Sequence, residues 1–270
     1  MIRIISLAVG AFFSLALLLA FGTGAYNYIS EPPAKTVEAA FHEHPKHLSL
    51  SSDGWFGKFD KQQLQRGFQV YDQVCKNCHS IKHVAFRDLA ALGYSEAEVK
   101  AIAATYTVAG KDPLTGEVKD RPGVAADKFP LVAYAGAGTP PDLSLITKAR
   151  HNGPAYVYSL LTGYQNQPAE LLKKFPEAKT PDGLFYNPYF ANLNLAMPAP
   201  LADGQVTYAD GTKASLDQMS QDVAAFLVWT AEPKLEKRHQ TGLYWLGFLL
   251  FATVLGYMAY RNVWAEKKGH

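Results

Sequence analysis

The sequence predicts a mainly α domain with long loops and one C-terminal transmembrane helix. Three observations predict it. Apolar residues recur at helical spacing over residues 58–74 and 216–229. Stretches rich in Gly, Pro and Asp, at 108–141 and 165–214, separate the helical segments. Residues 241–260 form a twenty-residue run with no formal charge.

From the N-terminus, residues 4–21 are an apolar stretch behind one basic residue, Arg3. The short basic start and the small residues Thr23, Gly24 and Ala25 point to a signal peptide. The length of the stretch points to a retained anchor, and the signal is the preferred reading. Residues 1–25 are therefore a signal peptide or N-terminal anchor, and either delivers the rest of the chain across a membrane.

Over 58–74, Leu64, Phe68, Tyr71 and Cys75 fall at i, i+4, i+7 and i+11, one face of a helix. Gly67 within it costs about 1 kcal/mol of helix stability, so a close helix crossing is the expected compensation. Over 216–229, Met219, Val223 and Phe226 make the apolar stripe, and Ser215 with Gln218 fits a capping box. Residues 96–105 and 156–161 also read as helical. The rest is loop, with turn pairs at Asp182-Gly183 and Asp210-Gly211. Loops this long in a compact domain are functional or wrapped around something.

At about 1.5 Å per residue, 241–260 spans a hydrocarbon core of about 30 Å. Tyr244 and Trp245 near one end, and Tyr257, Tyr260 and Trp264 near the other, are placed as interfacial anchors. Residues 26–233 are then the main domain, and 234–270 the anchor with a short tail. The 26 Lys+Arg against 24 Asp+Glu leave a net charge of +2 without a basic stripe, so nucleic-acid binding is excluded as a leading reading.

The most specific motif is Cys75-Lys76-Asn77-Cys78-His79, the C-x-x-C-H attachment sequence for one c-type haem. Each thiol can add across one vinyl group, and the histidine then lies beneath the iron. These are the only two cysteines in 270 residues. A zinc site would want two more Cys or His ligands at similar spacing, and a thioredoxin-like pair a βαβ context. Haem is the expected cofactor, attached covalently through Cys75 and Cys78, with His79 on the iron.

A low-spin electron carrier needs a second axial ligand, usually Met or His. Met1 is the initiator, Met258 lies in the expected span, and Met219 sits on a core stripe. Met197 lies between Leu195-Ala196 and Pro198-Ala199-Pro200, in a segment that prolines keep extended. It is the preferred ligand. The rivals are His83, His151 and the cluster His42, His44 and His47.

Several runs resemble one family, cytochrome c1. They are Arg66-Gly67-Phe68-Gln69-Val70-Tyr71-Asp72-Gln73-Val74 before the haem motif, Pro140-Pro141-Asp142-Leu143-Ser144, and Ala149-Arg150-His151-Asn152-Gly153. Residues 156–164 and Asn187-Pro188-Tyr189-Phe190 come after these, then the Met197 loop and the single C-terminal span. The resemblance covers residues 45–265 and implies a class I cytochrome c domain with enlarged loops. It implies that Cys75 and Cys78 carry the thioethers and that His79 and Met197 hold the iron. Arg150 and Tyr156 match positions that hydrogen-bond a haem propionate, and Pro141, Ile146 and Phe190 match haem-packing positions. No cysteine pair remains to fasten the Met197 loop, so proline stiffness is expected to do so.

The resemblance implies a membrane-anchored one-electron carrier without a quinone site. It would take an electron from the Rieske iron–sulfur protein and pass it to a soluble or tethered cytochrome c. Cytochrome b is an expected further partner, within a dimeric bc1 complex of the bacterial inner membrane, the haem domain lying in the periplasm. The rival readings are an open-site haem enzyme of the peroxidase kind and a stand-alone membrane-tethered shuttle.

Overall fold

A computed structural model describes the chain apart from Met1, Pro33, Ala34, residues 112–114, Ala137, Glu266 and residues 268–270. The chain divides into two compact units, Met1–His42 and Glu43–His270.

The first unit holds α1 (Ile2–Ser30) and the single-turn α2 (Val37–Phe41). Helix α1 is long and apolar enough to cross a membrane, and it runs on through Thr23, Gly24 and Ala25. Ser6 and Thr23 each donate to the carbonyl four residues back, Ile2 and Leu19, at 2.9 Å.

The second unit opens with α3 (Lys61–Gln73), capped by Asp60, whose carboxylate accepts from the amides of Gln62 and Gln63. A 3-10 turn follows at Cys75–Asn77 and another at Phe86–Leu92. Helix α4 (Glu96–Ala104) starts with a complete Ser95/Glu98 capping box. Strands β1 (Thr107–Lys111) and β2 (Val118–Pro122) form an antiparallel hairpin. Short helices α5 (Ile146–Ala149), α6 (Gly153–Leu161) and α7 (Ala169–Lys174) come next, then the two-residue strands β3 (Phe185–Tyr186) and β4 (Asn194–Leu195). Helices α8 (Leu216–Ala231) and α9 (Leu235–Ala265) complete the unit.

The core sits where α3 crosses α8. Leu64, Phe68 and Tyr71 are buried on α3, and Met219, Val223, Phe226 and Trp229 on α8. Phe226 joins both helices, with ring centroids 5.7 Å from Phe68, 5.8 Å from Tyr71 and 5.7 Å from Trp229. The expected close crossing is present: a Cβ on Gly67 would lie 2.1 Å from the Asp222 carbonyl oxygen. Beside it, Arg66 forks onto the fully buried Asp222 carboxylate at 2.9 and 3.3 Å, and reaches Asp210 at 2.8 Å. That satisfies a carboxylate that would be costly if left unpaired in the core.

Three local expectations change. Cys75 leaves the α3 stripe, because the helix stops at Gln73 and tightens into the 3-10 turn. The Ser215/Gln218 box forms only in half. Ser215 Oγ accepts from the Gln218 amide at 3.1 Å, but the Gln218 side chain does not reach back to the Ser215 amide; its Nε2 donates instead to the buried Asp222 carboxylate at 2.9 Å, a charge-assisted bond. The stretches read as loop carry short elements: that from 108 contains the hairpin, held by Val108, which is buried against the core, and that from 165 contains α7, β3 and β4. The turn pairs stand as read: Gly183 has φ 81° and Gly211 φ 77°, the left-handed region that glycine enters without steric cost.

Candidate haem site

The Cys75–His79 motif is curled by backbone bonds and held to α3 by side chains. The amides of Cys78 and His79 both donate to the Cys75 carbonyl, at 3.1 and 2.8 Å. The buried Tyr71 of α3 donates from its hydroxyl to the His79 carbonyl at 3.1 Å, fixing the far side of the turn to the core. Both cysteines are free and half-buried as residues. Burial, with a smaller push from Cys78, raises the Cys75 thiol to about 12.

The His79 ring is oriented by one bond. Its Nδ1 lies 2.8 Å from the Pro141 carbonyl oxygen, so Nδ1 carries the proton and donates. The other nitrogen, Nε2, then keeps its lone pair and meets no hydrogen-bond partner among the described residues. Burial lowers the imidazole pKa and outweighs the opposite pull of Pro141 and Asp142, which keeps the ring neutral. A neutral imidazole with a backbone acceptor on one nitrogen is how a metal-ligating histidine is set up.

Pro141 is held in place by a zipper between residues 80–83 and 141–144. The Leu143 amide donates to the Ser80 carbonyl at 2.8 Å, and the His83 amide to Ser144 Oγ at 3.1 Å. Asp142 accepts from the amides of Lys82 and Ser144, one on each oxygen, at 3.0 Å. The Pro140–Ser144 run is therefore a brace for His79. Asp142 is the residue of that run that joins the two segments, and its motif alone gave no sign of that contact.

Beyond the zipper, Ile146 is buried in the core cluster that Cys75 and Tyr156 also touch. Arg150 ends α5, exposed, and Asn152, at φ 61°, reverses the chain into α6. Tyr156 on α6 is half-buried and hydrogen-bonded to Arg150. Burial raises its phenol, and the guanidinium offsets part of that rise. Tyr164 donates to the Met197 carbonyl at 3.0 Å, and lies close enough to Tyr156 to feel its charge.

Met197 is half-buried, two residues after β4. Its loop is positioned from both sides: a Cβ on Gly138 would sit 3.5 Å from Ala196 Cβ, on the segment leading to Pro141. The remaining methionines sort as expected, with Met219 fully buried and Met258 exposed on α9. His42, His44, His47, His83 and His151 are all exposed.

Phe190 lies in a tight turn built by the fully buried Asn187. The Asn187 amide donates to the Leu193 carbonyl at 2.8 Å, its side chain donates to the Leu160 carbonyl at 2.8 Å, and its Oδ1 accepts from the Tyr189 amide at 3.1 Å. Gly163 lets the Tyr189 ring approach, since a Cβ there would meet that ring at 2.4 Å. Among the described residues Phe190 shares no ring contact with the other candidates. Asn187, Gly163 and Tyr164 were all inside recognised runs, but nothing in their spacing said which loops they tie together.

The set therefore fits a c-type haem in its chemistry. It has two free thiols on one turn, a neutral imidazole with an available nitrogen, and a thioether on a braced loop. Among the described residues no group of three or more His, Cys, Asp or Glu is placed to hold a bare metal ion.

The comparisons with known proteins agree. Residues 50–267 match the Cytochrome C1 family. The mitochondrial heme protein cytochrome c1 1 of Arabidopsis thaliana is 41% identical over 264 residues, covering 94% of this chain and 83% of that one. Cytochrome c1 of Rhodospirillum rubrum is 42% identical over 243 residues, 82% of this chain and 89% of that one. A longer protein of Bradyrhizobium diazoefficiens, named cytochrome b/c1, is 42% identical over 247 residues; the match takes in 83% of this chain and 36% of that one. With its attachment turn, its braced histidine and its apolar C-terminal helix, the chain belongs to the cytochrome c1 family of electron-transport haem proteins.

Proposed function

We propose that this chain is the electron-transfer subunit of a bc1 complex, accepting one electron from the Rieske iron–sulfur protein and passing it to a cytochrome c. The observation that carries the reading is the His79 Nδ1–Pro141 bond, which leaves Nε2 for the iron. The bound haem supplies the one-electron couple. Cys75 and Cys78 would hold its edge through thioethers. His79 and Met197 would hold the iron, a ligand pair that suits electron exchange and would exclude small ligands. Arg150, with Tyr156 beside it, would fork onto a propionate. Pro141, Ile146 and Phe190 would pack against the ring.

Residues 1–25 are proposed as the signal or anchor, 26–233 as the haem domain and 234–270 as the anchor and tail. The domain would face the periplasm, because thioether attachment takes place on that side of a bacterial inner membrane. Cytochrome b is the expected partner within the membrane, in a dimeric complex. The relative named cytochrome b/c1 supports that association.

Replacing Met197 with Leu tests the ligation. Haem should remain covalently attached, the midpoint potential should fall sharply, and the reduced protein should gain carbon monoxide binding, because a soft thioether favours reduced iron. An unchanged potential in Met197→Leu, with the shift appearing in Met219→Leu, would move the ligand elsewhere. Carbon monoxide binding by the unaltered protein would favour an open-site enzyme.

A further inference from the structure

We propose that residues 50–58 form a second membrane contact of the haem domain, with Trp55 and Phe56 seated in the lipid head-group layer beside the root of α9. The inference rests on the reading of α9 as the anchor.

Trp55 and Phe56 are 72% and 76% exposed, adjacent, and at the tip of a turn. Single exposed apolar residues are ordinary on a soluble surface. This pair is different, because the turn is built to hold it outward. The Leu50 amide donates to Asp53 at 2.8 Å, the Asp53 amide to the Leu50 carbonyl at 3.0 Å, and the Lys58 amide to the Ser51 carbonyl at 2.9 Å. Gly54 supplies a left-handed residue at φ 79°. Gly57 closes the loop where any Cβ would lie 2.2 Å from the Ser52 carbonyl oxygen. Leu50 and Ser52 at the root are buried, while the aromatic tip stands in solvent.

The turn is fastened to the start of the anchor helix. The Phe59 amide donates to Glu236 Oε1 at 2.8 Å, and the neighbouring Leu235 is buried in the domain. Glu236 precedes the uncharged run at 241 by five residues, about 8 Å along a helix axis. A head-group layer is about 5–7 Å deep on each side of the hydrocarbon. Phe59 therefore sits at the outer edge of that layer. Trp55 and Phe56, four and three residues away, have a reach of up to about 11–14 Å, more than the gap requires.

Charge points the same way. Lys58, Lys61, Lys234 and Lys237 are exposed around this root, and basic side chains there suit lipid phosphates. The nearby acids are engaged: Asp53 accepts from Leu50, Asp60 caps α3, and Glu236 accepts from Phe59. Aromatic rings beside lysines at the end of a span are an interfacial arrangement.

The test is photolabelling of the full-length, haem-bearing chain in vesicles of phosphatidylcholine and phosphatidylglycerol. These contain a phosphatidylcholine with a diazirine at the glycerol end of one acyl chain. Adducts mapped by mass spectrometry should fall on residues 54–58 as well as on Tyr244 and Trp245. The double variant Trp55→Ser, Phe56→Ser should keep its haem spectrum and its Tyr244–Trp245 labelling, while adducts on Gly57 and Lys58 fall severalfold. Labelling at Tyr244 and Trp245 with none at 54–58 would overturn the proposal and leave the anchor reading standing. Absence of label at both would overturn the two together. Undiminished Gly57 and Lys58 adducts in the double variant would also overturn it. So would an unlabelled turn that becomes protected from hydroxyl-radical oxidation only in the assembled complex, which would assign the face to a partner subunit.

Discussion

Helices α8 and α9 lie three residues apart, are both rich in apolar and aromatic residues, and meet opposite fates. Of the 16 residues of α8, ten are buried; of the 31 in α9, only Leu235 is. The difference is in the polar groups and the glycines. Helix α8 carries Ser220, Asp222 and Thr230 into the core, each with a partner: Ser220 and Thr230 donate to carbonyls of their own helix, and Asp222 accepts from Arg66 and Gln218. Helix α9 carries no formal charge over 241–260 and buries none of that face in protein. Gly67 opposite α8 is a steric requirement, while a Cβ on Gly242, Gly247 or Gly256 in α9 would meet nothing within 4 Å. A protein-facing helix is matched atom by atom, and a lipid-facing one only has to be apolar all round.

The largest expected effect tests that contrast directly. Gly67→Val places a branched side chain where even a Cβ would lie 2.1 Å from the Asp222 oxygen and 2.7 Å from Phe226 Cβ. It should cost roughly 3 kcal/mol or more, enough to prevent accumulation of the haem-bearing domain. Gly247→Val should leave domain stability unchanged. Guanidinium unfolding of the full-length chain in mild detergent measures both, and equal costs would erase the distinction between the two helices.

A smaller effect sharpens where the domain ends and the anchor begins. A chain ended after His239 keeps Leu235 and Glu236; one ended after Pro233 loses the buried Leu235 and the Glu236 cap on the Phe59 amide. Both should carry haem with the same reduced spectrum. The shorter one should be less stable by about 2 kcal/mol, the usual gain from burying a leucine. Equal unfolding midpoints, with N-terminal sequencing showing identical processing, would make the whole of α9 a simple tether.

The smallest effect is at the junction. Glu232 caps α8, pairs with Arg238 of α9, and lies 3.5 Å from Lys148 of α5. Burial pushes its pKa up, but the Arg238 hydrogen bond and the two cations prevail and hold it below the ordinary glutamate value. A carboxylate with a depressed folded pKa adds stability that is complete above its unfolded value and is lost as pH falls through the folded one. The contribution, about 0.5 kcal/mol for a partly solvated pair, should therefore be lost as the pH falls from the ordinary glutamate range through the lower folded value. The stability difference between the unaltered chain and Glu232→Gln should shrink over that window, and a difference independent of pH would show that the pair is not coupled to folding.

Much of this was legible in the sequence because the signals were local. The α3 and α8 stripes, the turn glycines at 183 and 211, the attachment motif and the uncharged C-terminal run each lie within a few residues of chain. The hairpin at β1 and β2 was hidden because its strands are five residues each and only Val108 faces the core. Phe190 shows the limit at the candidate site: its motif was recognisable, but the turn that holds it depends on Asn187 reaching Leu160 across the fold.

The C-x-x-C-H motif and the apolar C-terminal helix could be read from the sequence alone, since a thiol pair beside a histidine and twenty uncharged residues are contiguous in the chain. It took the folded chain to show that the Pro141 carbonyl accepts from His79 Nδ1, that Asp142 zips residues 80–83 to the Pro141 loop, and that Tyr164 holds the Met197 loop. Those bonds join groups 33 to 62 residues apart. No periodicity encodes them, because a hydrogen bond depends on where two loops end up in space and not on their separation along the chain.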